Sequence, residues 1–165
     1  MSDADSIVEL IPRLRRYARA LAGDRAAADD LVQDTLERAW SKLHLYRRGT
    51  DLRAWLFTVM HNVYVNQLRS AKVGTALDED MPELARPARE TDGLVLRDLE
   101  AAIGRLPPEQ REVLLLVALE DMSYEAAAQA LGIPIGTVMS RLARAREKLR
   151  AMLAGLPPGK LKIVK

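Results

Sequence analysis

Five cations, Arg141, Arg144, Arg146, Lys148 and Arg150, fall within ten residues near the end of the chain, interrupted by one acid, Glu147. Side chains of this kind hold phosphates, and an arginine fork can bond bidentately to a base edge. The stretch that carries them begins earlier, at Ser123. Ser123 is a good N-cap, Ala126, Ala127, Ala128 and Ala130 make a slim helix, Gly132 stands where the chain must turn, and Pro134 restarts it. A short helix, a tight turn and a longer basic helix form a helix-turn-helix pattern. At about 100° per residue, Val138, Leu142, Ala145 and Leu149 share a narrow arc and form a buried seam. Opposite them lie Gly136, Ser140, Ala143, Arg144 and Glu147, a slim strip suited to close approach. Arg141 and Lys148 flank one side and Met139, Arg146 and Arg150 the other, as the two phosphate walls of a major groove require. The bland alternative is a solvated basic helix; the turn chemistry favours DNA.

Other chemistries find little support. There is no cysteine, so neither a disulfide frame nor a thiolate metal site is expected. His44 and His61 are not at ligand spacing, and no carboxylate pair is visibly poised. The expectation is therefore no catalytic residue, no metal and no cofactor.

With 165 residues, the chain suits one domain or two small ones, and its 48% hydrophobic but 4% aromatic composition favours a helical core of Leu, Ala and Val. The acidic N-terminus lacks the plan of a signal peptide, and no apolar run approaches the roughly 20 residues needed to span a bilayer. A cytoplasmic protein without direct membrane insertion is expected. The net charge of +2 is unevenly spread: Pro134 to Lys165 holds eight Lys or Arg and one Glu, and Ala76 to Glu100 holds eight acids and three Arg.

The elements that must position these groups follow in order. Asp5 or Ser6 is expected to cap a first helix, with Ile7, Leu10, Ile11, Leu14, Ala18 and Leu21 inward. Pro12 hints at a kink, or at a helix that begins near it. Gly23 ends that helix and Asp24 caps a second, about Arg25 to Leu43, with Ala28, Leu31, Val32, Thr35, Leu36 and Ala39 inside. Its outer face carries Asp30, Gln33, Asp34 and Glu37: a solvated face, or a dock for a basic partner. His44 to Thr50 reads as a loop, and Asp51 caps a third helix, Leu52 to about Ser70. Its inner seam is Leu52, Leu56, Val59, Val63 and the stem of Gln67. The other face carries Trp55, Thr58, His61, Asn62, Asn66 and Arg69, and no acid occurs from Arg53 to Lys72. Rings, amides and cations on one helix make a candidate single-strand surface. Phe57 and Tyr64 read as core, and Trp55 stays open between core and surface. Residues 73 to 92 lose periodicity and read as a linker and domain boundary. Gly93 to Arg105 is a further amphipathic helix, and Pro107-Pro108-Glu109 opens another whose Val113 to Leu119 run is apolar on nearly all sides. Glu120-Asp121-Met122 reads as a connector, and residues 156–165 as a basic tail. The fold class expected is all-α: two small helical domains, 1–72 and 93–155, joined by a flexible linker, the second a helix-turn-helix bundle.

Four strings in this order resemble the extracytoplasmic-function (ECF) sigma factors, group 4 of the sigma-70 family of bacterial RNA polymerase. They are Ala28 to Trp40, Asp51 to Arg69, Leu106 to Leu115, and Ser123 to Leu149. The resemblance covers about residues 6 to 153. It implies that 1–72 is region 2, which docks on core polymerase and melts the −10 element, and that 93–155 is region 4, which reads the −35 element. The Asp30, Gln33, Asp34 and Glu37 face matches the dock for the β′ clamp helices, which displaces the solvated reading. Trp55, His61, Asn62, Asn66 and Arg69 match the −10 reader, where a base is flipped into a pocket that the His44 to Thr50 loop helps form. Thr137, Met139, Ser140, Arg141, Ala143, Arg144, Arg146 and Lys148 match the −35 reader. Met139 departs from the frequent Arg or Lys and Ala143 from a larger residue, which puts the family's usual −35 sequence in doubt. The resemblance also implies contact with the β flap, catalysis by the polymerase alone, and control by an anti-sigma factor. Two other readings compete: a stand-alone helix-turn-helix regulator using residues 93 to 155, and a sigma-like decoy that titrates an anti-sigma factor.

Overall fold

A computed structural model of the chain describes residues 2–74 and 94–154. Its elements are α1 (Asp3–Ala22), α2 (Arg25–Ser41), a 3₁₀ turn (Leu43–Leu45), α3 (Leu52–Gly74), α4 (Leu94–Gly104), α5 (Pro108–Leu114), α6 (Tyr124–Leu131) and α7 (Ile135–Leu153). A π-helical turn, Leu115–Leu119, extends α5. The described residues are all-α, as expected. Most of the expected linker and the basic tail lie outside them.

Local signals fix most helix ends. The cap of α1 is Ser2 rather than Asp5 or Ser6. Its Oγ accepts from the Asp5 amide at 3.1 Å, and the Asp5 carboxylate accepts from the Ser2 amide at 3.3 Å. This reciprocal box satisfies two donors, so the acid expected as the cap serves three residues inside it. The helix runs through Pro12 without a new start, because buried Ile7 and Leu14 anchor the turns on either side. Gly23, at φ 76°, closes it, and Asp24 caps α2 through the amides of Ala26 and Ala27. α2 stops at Ser41, short of Leu43, where the chain tightens into the 3₁₀ turn. α3 continues past Ser70 to Gly74, into the expected linker.

The helices α1, α2 and α3 form the first unit around Leu14, Leu21, Leu31, Leu56, Met60 and Val63. Tyr17 and Phe57 meet edge to face at 4.9 Å, which places Phe57 in the core as expected, and Tyr64 is buried too. The second unit is built from α4 to α7. Val113 through Leu116 are buried, but Ala118 is exposed, so the apolar run is central only in its first half.

The two units pack against each other, α3 on α6 and α1 on α4, α5 and the π turn. One apolar cluster runs through both units, and several polar groups cross the seam beside it. The Glu120 carboxylate is fully buried and faces Arg16 Nη2 at 3.3 Å and Arg13 Nε at 3.6 Å. Arg53 Nη1 donates to the Glu120 carbonyl at 2.6 Å, His61 Nδ1 meets Glu112 Oε2 at 2.6 Å, and Arg111 Nη1 donates to the Leu21 carbonyl at 2.8 Å. Burial raises the Tyr17 hydroxyl well above the ordinary phenol value, and Glu112, Tyr64 and Glu120 add to the effect. Burial likewise pushes Tyr64 up to about 12, with nearby Arg111 opposing.

Candidate nucleic-acid and polymerase interface

The α7 helix presents the surface the wheel requires. Val138, Leu142 and Ala145 are buried and Leu149 half-buried, so the opposite strip faces out. The turn before it depends on Gly132, at φ 66° and ψ 36°, and on the Ile133 amide donating to the Ala128 carbonyl at 3.1 Å. Ser123 Oγ caps α6 through the Ala126 amide at 3.0 Å. Gly136, Ser140, Ala143, Arg144 and Glu147 are exposed, as are Arg146, Lys148 and Met139, while Thr137 and Arg141 are half-buried. Among the described residues no ion pair engages Arg144, Arg146 or Lys148. The Ser140 hydroxyl donates to the Thr137 carbonyl at 3.2 Å, which leaves its lone pairs free to accept.

On α3, Asn62, Asn66 and Arg69 are exposed along one strip that begins at Trp55 and Thr58. Trp55 is half-buried: it packs on the core and lies 5.3 Å from the Tyr46 ring. Tyr46 in turn donates from Oη to the Thr50 carbonyl, while Thr50 Oγ1 donates to the Arg47 carbonyl at 2.7 Å and Gly49 takes φ 91°. The loop is thus tied against the start of the strip. His61 lies roughly 100° to 140° around the helix from Trp55, Asn62 and Asn66, and it is engaged by Glu112.

On α2, Asp30, Gln33 and Glu37 are exposed and Asp34 is half-buried. Beside them, a groove of about 650 Å³ between α1 and α2 is lined by Val8, Ile11, Gln33, Leu36, Glu37 and Trp40 among others. Val8 and Trp40 are 57% and 54% exposed, unusual for such large apolar groups. Neither belongs to the faces expected from the sequence to bind a partner. Gln33, Glu37 and Trp40 stand at i, i+4 and i+7, so extending the acidic face one turn would have found the tryptophan.

These surfaces define a class: a helical protein with an exposed acidic and apolar face, an amide-bearing helix, and a helix-turn-helix with exposed cations. Comparison with known proteins gives the family. Residues 7–61 match the family described as the sigma2 domain of PhyR, and residues 96–149 match sigma-70 region 4. The ECF RNA polymerase sigma factor EcfG of Rhodopseudomonas palustris is 39% identical over 151 residues, covering 90% of this chain and 83% of that one. Among solved structures, the sigma factor RpoE of Bartonella quintana, in complex with the anti-sigma factor NepR, is 35% identical with a TM-score of 0.80, covering 93% of this chain and 98% of that one. CnrH, in complex with the cytosolic domain of CnrY, is 28% identical with a TM-score of 0.70, covering 94% and 89%. The chain belongs to the ECF sigma factors of the sigma-70 family, a family of transcription initiation factors. No described helix is long and apolar enough to cross a membrane.

Proposed function

We propose that the chain directs core RNA polymerase to a set of promoters in the cytoplasm, with 1–72 acting as region 2 and 93–155 as region 4. The 39% match to an ECF sigma factor, running through both units, carries the reading. In it, Asp30, Gln33, Asp34 and Glu37 dock on the clamp helices of polymerase. Trp55, Asn62, Asn66 and Arg69 hold the separated strand of the −10 element: the ring can stack a base, the amides bond its edges and the cation holds a phosphate. His61 joins them when Glu112 releases it. Thr137, Met139, Ser140, Arg141, Ala143, Arg144, Arg146 and Lys148 meet the −35 duplex. Region 4 also reaches the β flap. The polymerase does the chemistry and this chain supplies none. An anti-sigma factor of the NepR kind restrains it, because a solved relative with both units in common, RpoE of Bartonella quintana, is in complex with one.

A decoy that titrates an anti-sigma factor is the second reading, favoured by the match of residues 7–61 to the sigma2 domain of PhyR. The exposed cations of α7 argue against it, since a decoy has no use for a duplex reader. Run-off transcription with purified core polymerase separates the two. A sigma factor gives promoter-dependent transcripts on templates selected from genomic fragments. A decoy gives none, and relieves inhibition of another sigma factor instead.

A further inference from the structure

The geometry points to Gln67 as a positioning residue that sets the docking carboxylates of α2 from the strand-reading helix α3. The inference rests on the docking role proposed above for Asp30 and Asp34. These two acids stand one helical turn apart, where like charges repel. Unassisted, their carboxylates would swing apart into water, and a partner would have to order them on binding. Gln67 reaches across from α3: its Nε2 lies 2.8 Å from Asp34 Oδ2 and 3.5 Å from Asp30 Oδ2. A side-chain amide nitrogen carries two donors, enough to serve both acids.

The residue type fits this task closely. A lysine would satisfy both acids but cancel the charge that a basic partner needs. A glutamate would be repelled by them. The neutral amide orients the carboxylates and leaves their charge intact. Asn66, the next residue back on α3, lines the same shallow depression as Asp30 and Asp34. The dock and the strand reader therefore share one wall, and Gln67 bonds across it.

The test is a double-mutant cycle on the full chain, with affinity for purified bacterial core polymerase read by fluorescence anisotropy. The variants are Gln67→Leu, which keeps the stem, Gln67→Glu, which keeps the shape, Asp34→Ala, and Gln67→Leu with Asp34→Ala. Melting temperatures report folding separately. The expected result is a loss of about threefold to tenfold for Gln67→Leu, the net worth of one ordinary hydrogen bond. Gln67→Glu should lose more, and Gln67→Leu should add little once Asp34 is already Ala. If Asp34→Ala weakens docking but Gln67→Leu does not, or costs as much without Asp34 as with it, the positioning role is wrong and the docking face stands. If Asp34→Ala leaves affinity unchanged, the docking assignment itself fails, and the role given to Gln67 with it.

Discussion

At the scale of single residues, recognition rests on which side chains are left without partners. Arg144 sits mid-strip on α7, exposed and outside any ion pair among the described residues, so its fork is available to a guanine edge. Arg146 and Lys148, off the strip, suit phosphates. The two kinds of contact should separate in a binding assay. Arg144→Ala should weaken −35 duplex binding by about 1–3 kcal/mol and relax preference at one base pair. Lys148→Ala should weaken all duplexes alike and lower the slope of log affinity against log salt by about 1. Selection from a randomised duplex library reads the first, and a salt titration the second. An unchanged preference profile for Arg144→Ala would remove it from the base-reading strip. Position 139 is occupied by an exposed methionine, which cannot bond a base edge as arginine or lysine does, so promoter preference should depart from that of relatives with a cation there.

At the scale of elements, what was legible in the sequence is what short range decides. The Gly132 turn, the Ser123 and Asp24 caps and the seam of α7 all depend on neighbours within four or five residues, and all stand where expected. The cap of α1 was misplaced because Ser2 and Asp5 each meet the preference, and only their mutual bonding decides between them. The Gly132 turn offers a test of local chemistry. Its φ of 66° is left-handed, yet an added Cβ would meet no atom within 4 Å. The cost of a side chain there is then conformational strain alone, about 1–2 kcal/mol. Gly132→Ala should lower stability by about that much in chemical denaturation, and Gly132→Asn by less, since asparagine tolerates this region. Equal losses for both would mean that the turn is held by packing instead. The turn also sets where α7 begins, so Gly132→Ala should weaken −35 binding without changing which base pairs are preferred.

At the scale of the whole molecule, the placement of the two units was the part the sequence could not yield. Glu120 read as part of a connector, yet its side chain is fully buried between residues more than a hundred positions earlier in the chain. His61 read as part of a DNA surface, yet Glu112 takes it. Such pairings carry no periodicity and no local signal. Their energetics also differ from those of an apolar seam. The carboxylate of Glu120 is dry, but Arg13 and Arg16 are 44% and 54% exposed, so the attraction is partly screened. Parted, these charges would recover their hydration, which offsets part of the cost of exposing the apolar contacts beside them. Tyrosine ionisation probes the same region. Tyr17 and Tyr64 are held protonated in the folded chain, Tyr64 up to about pH 12, whereas a free phenol ionises near 10. Their contribution to stability is complete below about pH 10 and is lost as pH rises towards the folded value. Melting temperature should fall through that window, and Tyr64→Phe should flatten the fall. The charge at position 120 can be tested more directly. Glu120→Gln keeps the shape and removes the charge, leaving Arg13 and Arg16 facing a neutral amide. The two units should then separate more readily, giving a larger radius of gyration by X-ray scattering and faster amide exchange in α6 and the π turn. The unaltered chain should move the same way as salt is raised, because its seam depends on the same charges. An unchanged radius and unchanged exchange in Glu120→Gln would place the strength of the seam in the apolar contacts of α3 with α6. The two units would then need a partner to force them apart.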